Sequence, residues 1–333
     1  MADSQRVLVY GASGHTGKFV VDELLRRGLQ PIVAGRSLSR LTQFAELDRR
    51  AASIDDGPGL RALLNDAAVV INCAGPFLDT ALPLATAAVE TGTHYLDVTA
   101  EQPAVQQLYR ELDAAARSAG TVVMPAMAFY GGLADLLLTA VLGPETSADE
   151  VEIAIGLDRW WPTEGTRVTG ARNTATRLVI RDGALTPISD PATGNWDFPE
   201  PIGAQSTVEL PFSEVVTIDR HLKVGTLRSW LNTAPLDDLH DPDTPAPQAH
   251  DEHGRSAQRF AVEVTAGSGS RTRRGTATGR DIYATTAPIL VEATVRLLDG
   301  RYQGAGALAP GEVFDAADFL TAIPDADFTA VWR

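Results

Sequence analysis

A chain of 333 residues is long enough to bury a sizeable core and too long for one small domain, so two domains are expected. Its 44% hydrophobic and 21% charged content reads as a soluble globular enzyme; no run of about 18 apolar residues occurs, the opening Met-Ala-Asp-Ser-Gln-Arg lacks a signal-peptide segment, and a cytoplasmic location with no membrane partner is expected. A formal net charge of -15 repels polyanions and so excludes a general nucleic-acid or anionic-membrane surface, leaving any anion to be bound locally.

The apolar strand Val7-Leu-Val-Tyr10 runs into Gly11-Ala-Ser-Gly-His-Thr-Gly17 and then a helix over 16–28, which is how a dinucleotide-binding fold begins. Gly11 permits the tight turn, Gly14 lets the backbone approach a diphosphate, and Gly17 lets helix and strand pack closely. Ser13, His15 and Thr16 complete the loop at the helix start, where free N–H groups face the anion. A second strand, 31–34, ends at Gly35-Arg36-Ser37. An NAD site usually carries Asp or Glu there, whereas Arg36 and Ser37 offer a cation and a hydroxyl to a 2'-phosphate, which favours NADP.

Further strands are expected near 69–73, 95–98 and 121–125, with a weaker one near 53–55. The alternation with helical segments implies a six-stranded doubly wound parallel sheet, a Rossmann α/β domain. The single cysteine, Cys73, ends an apolar run and reads as a buried small hydrophobe; it cannot form an internal disulfide. After residue 150 the pattern changes to longer alternating segments. Phe260, Val262 and Val264 share one face of a hairpin that turns at Gly267-Ser-Gly-Ser270 and returns over 271–280, so a second α+β domain with a mixed or mostly antiparallel sheet is expected.

Residues 237–254 lack periodicity and read as a loop. His240, Asp241, Asp243, His250, Asp251 and His253 lie there without the strand or turn scaffold of a metal site, so no metal is expected. Residues 282–299 read as one helix, apolar nearly all round, that buries itself between the domains and returns the chain to the first. The expected division is 1–127 for the cofactor domain, 128–281 for substrate and dimerisation, and 282–333 for the returning helix and tail. A homodimer would be unsurprising if the second sheet is exposed. The near absence of lysine, confined to Lys18 and Lys223, beside abundant alanine looks like GC-rich bacterial coding.

The glycine loop, Ala34-Gly-Arg-Ser37, Val70-Ile-Asn-Cys-Ala-Gly-Pro-Phe77 and Gly92-Thr-His-Tyr-Leu-Asp-Val-Thr-Ala-Glu101 together resemble the saccharopine dehydrogenase-like reductases, which include the trans-acting enoyl reductases. The likeness continues more weakly through Asp281-Ile-Tyr-Ala-Thr-Thr-Ala287 and the tail. It implies a Rossmann domain, a substrate domain, a cleft between them and NADPH as hydride donor. It also implies that Ala74, Gly75, Pro76 and Phe77 pass under the cofactor's ribose and nicotinamide; independently, that loop follows a strand carboxyl end, where open parallel sheets hold ligands. One departure stands out. Where relatives carry an acidic turn before a helix, this chain reads Ala128-Phe-Tyr-Gly-Gly-Leu-Ala-Asp135, with Tyr130 replacing the first acid and Asp135 matching the second only in the enoyl-reductase-like form. This weakens an amino-acid substrate.

Hydride transfer needs a proton donor near the acceptor. Tyr130, His94 and Asp135 are the candidates, with Tyr130 either a donor or a packed aromatic. Strand alternation sends His94 one way and Tyr95 and Asp97 the other; Asp97 either meets the cofactor ribose or only caps the helix near Glu101. Thr169 and Arg172 resemble a polar segment lining the family's substrate cleft, with Arg172 suited to a carboxylate or phosphate. No tyrosine has lysine four residues on, which disfavours a short-chain dehydrogenase. The expectation is an NADPH-dependent reductase acting on a C=N or C=C bond of a small metabolite. A carbonyl reductase and an NADP-sensing regulator remain as alternatives.

Overall fold

In the computed structural model, which describes residues 6–333, strand and helix alternate through the first part of the chain. The opening residues 1–5, read above for a signal segment, lie outside the described residues. The first sheet contains β1 (Val7–Tyr10), β2 (Pro31–Gly35), β3 (Asp48–Ala51), β4 (Val69–Asn72), β5 (His94–Asp97) and β6 (Val122–Met124). The helices α1 (His15–Arg26), α2 (Gly57–Leu64), α3 (Phe77–Thr91) and α4 (Gln102–Ala119) connect them, and α5 (Gly132–Leu142) leads out. All neighbouring strands are parallel in the order β3-β2-β1-β4-β5-β6, so the order reverses between β1 and β4. The crevice at such a reversal is where nucleotides sit.

β1 and β4 are buried along their whole length, as strands covered by helices on both faces must be. The expected third strand at 53–55 is instead β3 at Asp48–Ala51. Its residues are mostly exposed, because it is an edge strand whose charged side chains bond around it: Arg50 reaches Asp48 and Asp66. An edge strand needs no apolar pattern, so apolar patterning placed it too late.

The second sheet contains β7 (Ser147–Leu157), β8 (Leu178–Arg181), β9 (Ala184–Pro187), β10 (Thr193–Asp197), β11 (Ala204–Glu209), β12 (Lys223–Asn232), β13 (Arg259–Ser268) and β14 (Arg271–Arg280), with helices α6 (Glu164–Arg172), α7 (Glu214–His221) and α8 (Ala234–His240) between them. Its main path is β10-β11-β12-β7-β13-β14, antiparallel except for β12 on β7, so the sheet is mixed. The 259–280 hairpin buries Phe260, Val262 and Val264 on the face that α5 covers.

α9 (Thr286–Asp299) starts four residues later than the apolar pattern began, since 282–285 form a turn held by Asp281. It packs on α1, β4 and β5. β15 (Gly306–Ala307) then adds a seventh parallel strand beside β6; α10 (Pro310–Val313) and α11 (Ala316–Ala322) follow. The tail does not stay with the first sheet as expected: β16 (Thr329–Trp332) pairs with β14 at the edge of the second. No helix among the described residues is long and apolar enough to cross a membrane.

Candidate active site

The turn after β1 is built around its glycines. Gly11 has φ +83°, and a Cβ there would stand 2.8 Å from the Ala74 nitrogen; one at Gly17 would overlap the Gly11 carbonyl oxygen. Gly14 is the N-cap of α1 and supplies no side chain to its first turn, leaving that end open to an anion. Ser13 and Thr16 flank it, half-buried. After β2, Arg36 is exposed and has no carboxylate within ion-pair distance among the described residues, while the Ser37 hydroxyl bonds to Ser39 at 2.8 Å. The donors that would meet a 2'-phosphate are thus free of competing acids.

Beneath this surface a buried network fixes the next loop. Asn72 at the end of β4 accepts from the Ala74 N–H and donates to the Tyr95 hydroxyl, which donates to Asp97 at 2.9 Å. The Asp97 carboxylate also accepts from the Thr99 and Ala126 N–H groups. Burial pushes its pKa up to about 6, with those donors opposing the rise. Asp97 therefore faces inward and does not reach the ribose; it acts through Tyr95 and Asn72 on the Ala74-Gly75-Pro76-Phe77 loop. Burial likewise pushes the Cys73 thiol up to about 12, so it is no nucleophile. Glu101 accepts from the Phe77 N–H at 2.7 Å, and its other oxygen is buried without a partner.

Beyond the carboxyl ends of β5 and β6, segments of the second region converge on this loop. Gln102 bonds to both backbone groups of Leu178 and to the Phe212 carbonyl, and Ser213 donates to the carbonyls of Thr99 and Tyr130. The Tyr130 ring lies 4.2 Å from Phe212 and 5.9 Å from Trp160, and its hydroxyl is buried with no partner. Burial, reinforced by Tyr283 and Glu214 and opposed by Arg177, raises its pKa well above the usual phenol value, so it holds its proton.

Arg177 stacks on Phe212 and donates to the Pro211 carbonyl; burial lowers its pKa against the pull of Glu214 and Tyr130. Glu214 is fully buried. One oxygen accepts from Ser229 and the Phe212 N–H, the other has no partner, and burial raises its pKa. The Tyr283 hydroxyl links Trp160 and Thr166, and its ring stands edge-on to His15 at 5.2 Å. His15 Nε2 is buried without a partner and burial lowers its pKa, so the imidazole is neutral at pH 7. Buried polar atoms are rarely left unpaired, and those of Tyr130, Glu214 and His15 lie in one cluster linked through Tyr283.

Of the remaining sequence candidates, Thr169 stands over Gly75, its hydroxyl 3.0 Å from where a Cβ there would lie. Three are corrected. His94 begins β5, at the opposite end of the strand from the cleft, and its Nδ1 accepts from the Val122 N–H. Asp135 faces away from Tyr130 and pairs with His221 at 2.8 Å. Arg172 is already committed to Asp79 at the start of α3, at 2.9 Å. Arg177, Glu214, Glu101 and Tyr283 were missed. Glu214 had left a signal, as an acid inside the apolar stretch 208–218; Arg177 had none.

Residues 7–124 match the family model of the saccharopine dehydrogenase NADP-binding domain, the cofactor that Arg36 and Ser37 pointed to. The chain is 30% identical over 142 residues to a probable mitochondrial saccharopine dehydrogenase-like oxidoreductase of Arabidopsis thaliana, over 37% of this chain and 31% of that protein. It is 30% identical over 161 residues to the saccharopine dehydrogenase-like oxidoreductase of Bos taurus, over 41% of this chain and 38% of that one. A trans-acting enoyl reductase of Mycobacterium bovis is 31% identical over 105 residues, covering 28% and 25%. The matches thus span well under half of these relatives' own lengths. The apo saccharopine dehydrogenase (L-Glu forming) from Saccharomyces cerevisiae shares the fold over 99% of this chain and 100% of its own, with a TM-score of 0.69 at 16% identity.

Proposed function

We propose, from the premise that this chain is a saccharopine dehydrogenase-like protein with an NADP-binding domain at 7–124, that it is an NADPH-dependent reductase of a C=N or C=C bond in a small metabolite. The observation that carries this reading is the Tyr130 hydroxyl: buried, protonated, without a partner, and beside Arg177 and Glu214 at the carboxyl ends of the parallel strands. NADPH bound on the glycine loop would supply hydride.

This chain's own residues do the rest. Gly11, Gly14 and Gly17 leave room for a diphosphate over α1, and Arg36 with Ser37 receives the 2'-phosphate. The fixed Ala74–Phe77 loop supports the reacting end. Tyr130 donates its proton, or a hydrogen bond, to the atom next to the reduced carbon. Phe212, Trp160 and Phe129 keep water away from it. Arg177 and Glu214 offer a cation and an acceptor that orient polar groups of the substrate, and Glu214 restores an acid to the cleft that the Tyr130 position lacks.

The test is NADPH oxidation by the purified protein, with imines, enones and ketones offered in parallel and NADH as control donor. Turnover of an imine or enone with NADPH preferred is expected. Turnover of ketones alone would make it a carbonyl reductase, and tight NADPH binding without turnover of any class would favour an NADP sensor.

A further inference from the structure

One buried ion pair lies outside the cleft and has no part in the chemistry above. Asp135 is fully buried in the first turn of α5, and its Oδ1 meets Nε2 of His221, the last residue of α7. Burial works against a charged imidazole here, but Asp135 and Glu312 of α10 outweigh it, and the His221 pKa is raised. The second Asp135 oxygen has no partner, nor has the buried Tyr109 hydroxyl of α4. α10 closes directly over the pair: a Cβ on Gly311 would stand 2.6 Å from Asp135 Oδ1 and 2.7 Å from His221 Cε1.

Burying such a pair is costly, and apolar side chains of similar volume would serve stability as well or better, so its use is to be sought in the geometry it imposes. The pair sits at the Tyr130 end of α5 and at the far end of α7 from Glu214. Tyr130 and Gly131 lead directly into α5, and Glu214 opens α7. Ser213, just before α7, bonds to the Tyr130 carbonyl at 3.3 Å. α7 is therefore tied to the Tyr130 segment at both ends, by Ser213 at one and by His221 on Asp135 at the other.

We propose that Asp135 and His221 form a positioning pair that holds α5 against α7 so that the Tyr130 hydroxyl keeps its placement beside Glu214 and Arg177. The proposal rests on the reading of Tyr130 as the donor, but its physical content, the placement of that ring, is measurable without turnover. A misplacement of a reacting group by a fraction of an ångström to 1 Å is enough to cost about tenfold or more in kcat.

The experiment compares wild type with His221→Gln, which keeps a hydrogen bond to Asp135 without the charge, and His221→Leu, which keeps only bulk. Each is labelled with 3-fluorotyrosine, and the Tyr130 resonance is assigned by its loss in Tyr130→Phe. His221→Leu is expected to shift or broaden the Tyr130 fluorine signal, lower kcat about tenfold and leave the NADPH dissociation constant unchanged; His221→Gln should recover most of both effects. Should His221→Leu not fold, His221→Gln and Asp135→Asn supply the comparison, with a smaller displacement of the same resonance expected. A fall in Tm alone, with the Tyr130 signal and kcat unmoved, would reduce the pair to helix packing and overturn the proposal. If wild type turns over no substrate, the reductase reading fails separately, and the fluorine spectra still decide the positioning role.

Discussion

Asp97 and Glu214 are both fully buried acids beside the cleft, and they differ in how their oxygens are used. In the strand-end network on the cofactor side, both Asp97 oxygens are engaged by the Tyr95 hydroxyl and two backbone N–H groups. Around Phe212, by contrast, Glu214 and Tyr130 each keep a buried polar atom with no protein partner. An unmade hydrogen bond in a buried site costs about 1–3 kcal/mol, so the saturated network reads as scaffold, and the unpaired atoms gathered at Tyr130 and Glu214 are the ones the proposed substrate would complete.

Tyr130→Phe breaks the comparison most directly. It should lower kcat by about 10²–10³-fold while leaving Tm unchanged or slightly higher, because the lost hydroxyl bonds to nothing in the protein. A large fall in Tm with little change in kcat would place Tyr130 among the scaffold groups.

Asp97→Ala should do the reverse. It strands the Thr99 and Ala126 N–H groups and the Tyr95 hydroxyl, and should cost about 3 kcal/mol in urea unfolding, well beyond the cost of Glu214→Gln. Equal costs for the two would erase the distinction between the regions.

A pH titration of stability sharpens the same point. The Asp97 pKa rises from 3.8 in the unfolded chain to about 6 in the fold, so the folded state holds its proton longer. Its contribution to stability is largest below pH 3.8, falls as pH rises through the window to about 6, and is level above it. The total change is about 3 kcal/mol, and Asp97→Ala should remove that part of the slope. A difference curve between the two proteins that stays flat from pH 4 to 6 would show that Asp97 ionises without penalty.

The smallest expected effect is on cofactor choice. If the guanidinium meets only the 2'-phosphate, as proposed, Arg36→Ala should weaken NADPH binding about tenfold and leave NADH binding nearly unchanged. Equal losses for both nucleotides, measured by fluorescence titration, would take the phosphate role from Arg36.

The glycine turn after β1 and the end of β2 were legible because they are local. Gly11, Gly14 and Gly17 act within one turn, and Arg36 follows the next strand by a fixed step, so spacing alone carries their geometry. Legibility failed where residue type was right but direction was not. His94 and Asp97 share one four-residue strand, yet only its carboxyl end reaches the crevice at the strand ends, and there Asp97 turns inward. Asp135 sits in the helix that follows Tyr130, but on the face that meets His221. β3 escaped detection because an edge strand can be charged.

The sequence by itself determined the nucleotide fold, the glycine turn after β1 and NADP as the cofactor class, since contiguous residues in strand–turn–helix geometry have little freedom in how they present backbone and side chain. Only the tertiary structure decided what faces the cleft from the other side. Arg177, Glu214 and Tyr283 come from separate elements to surround Tyr130, and no local spacing relates them. They meet because Gln102 and Ser213 stitch the second region onto the carboxyl ends of β5 and β6, where packing leaves Tyr130 and Glu214 each with a buried, unpaired polar atom.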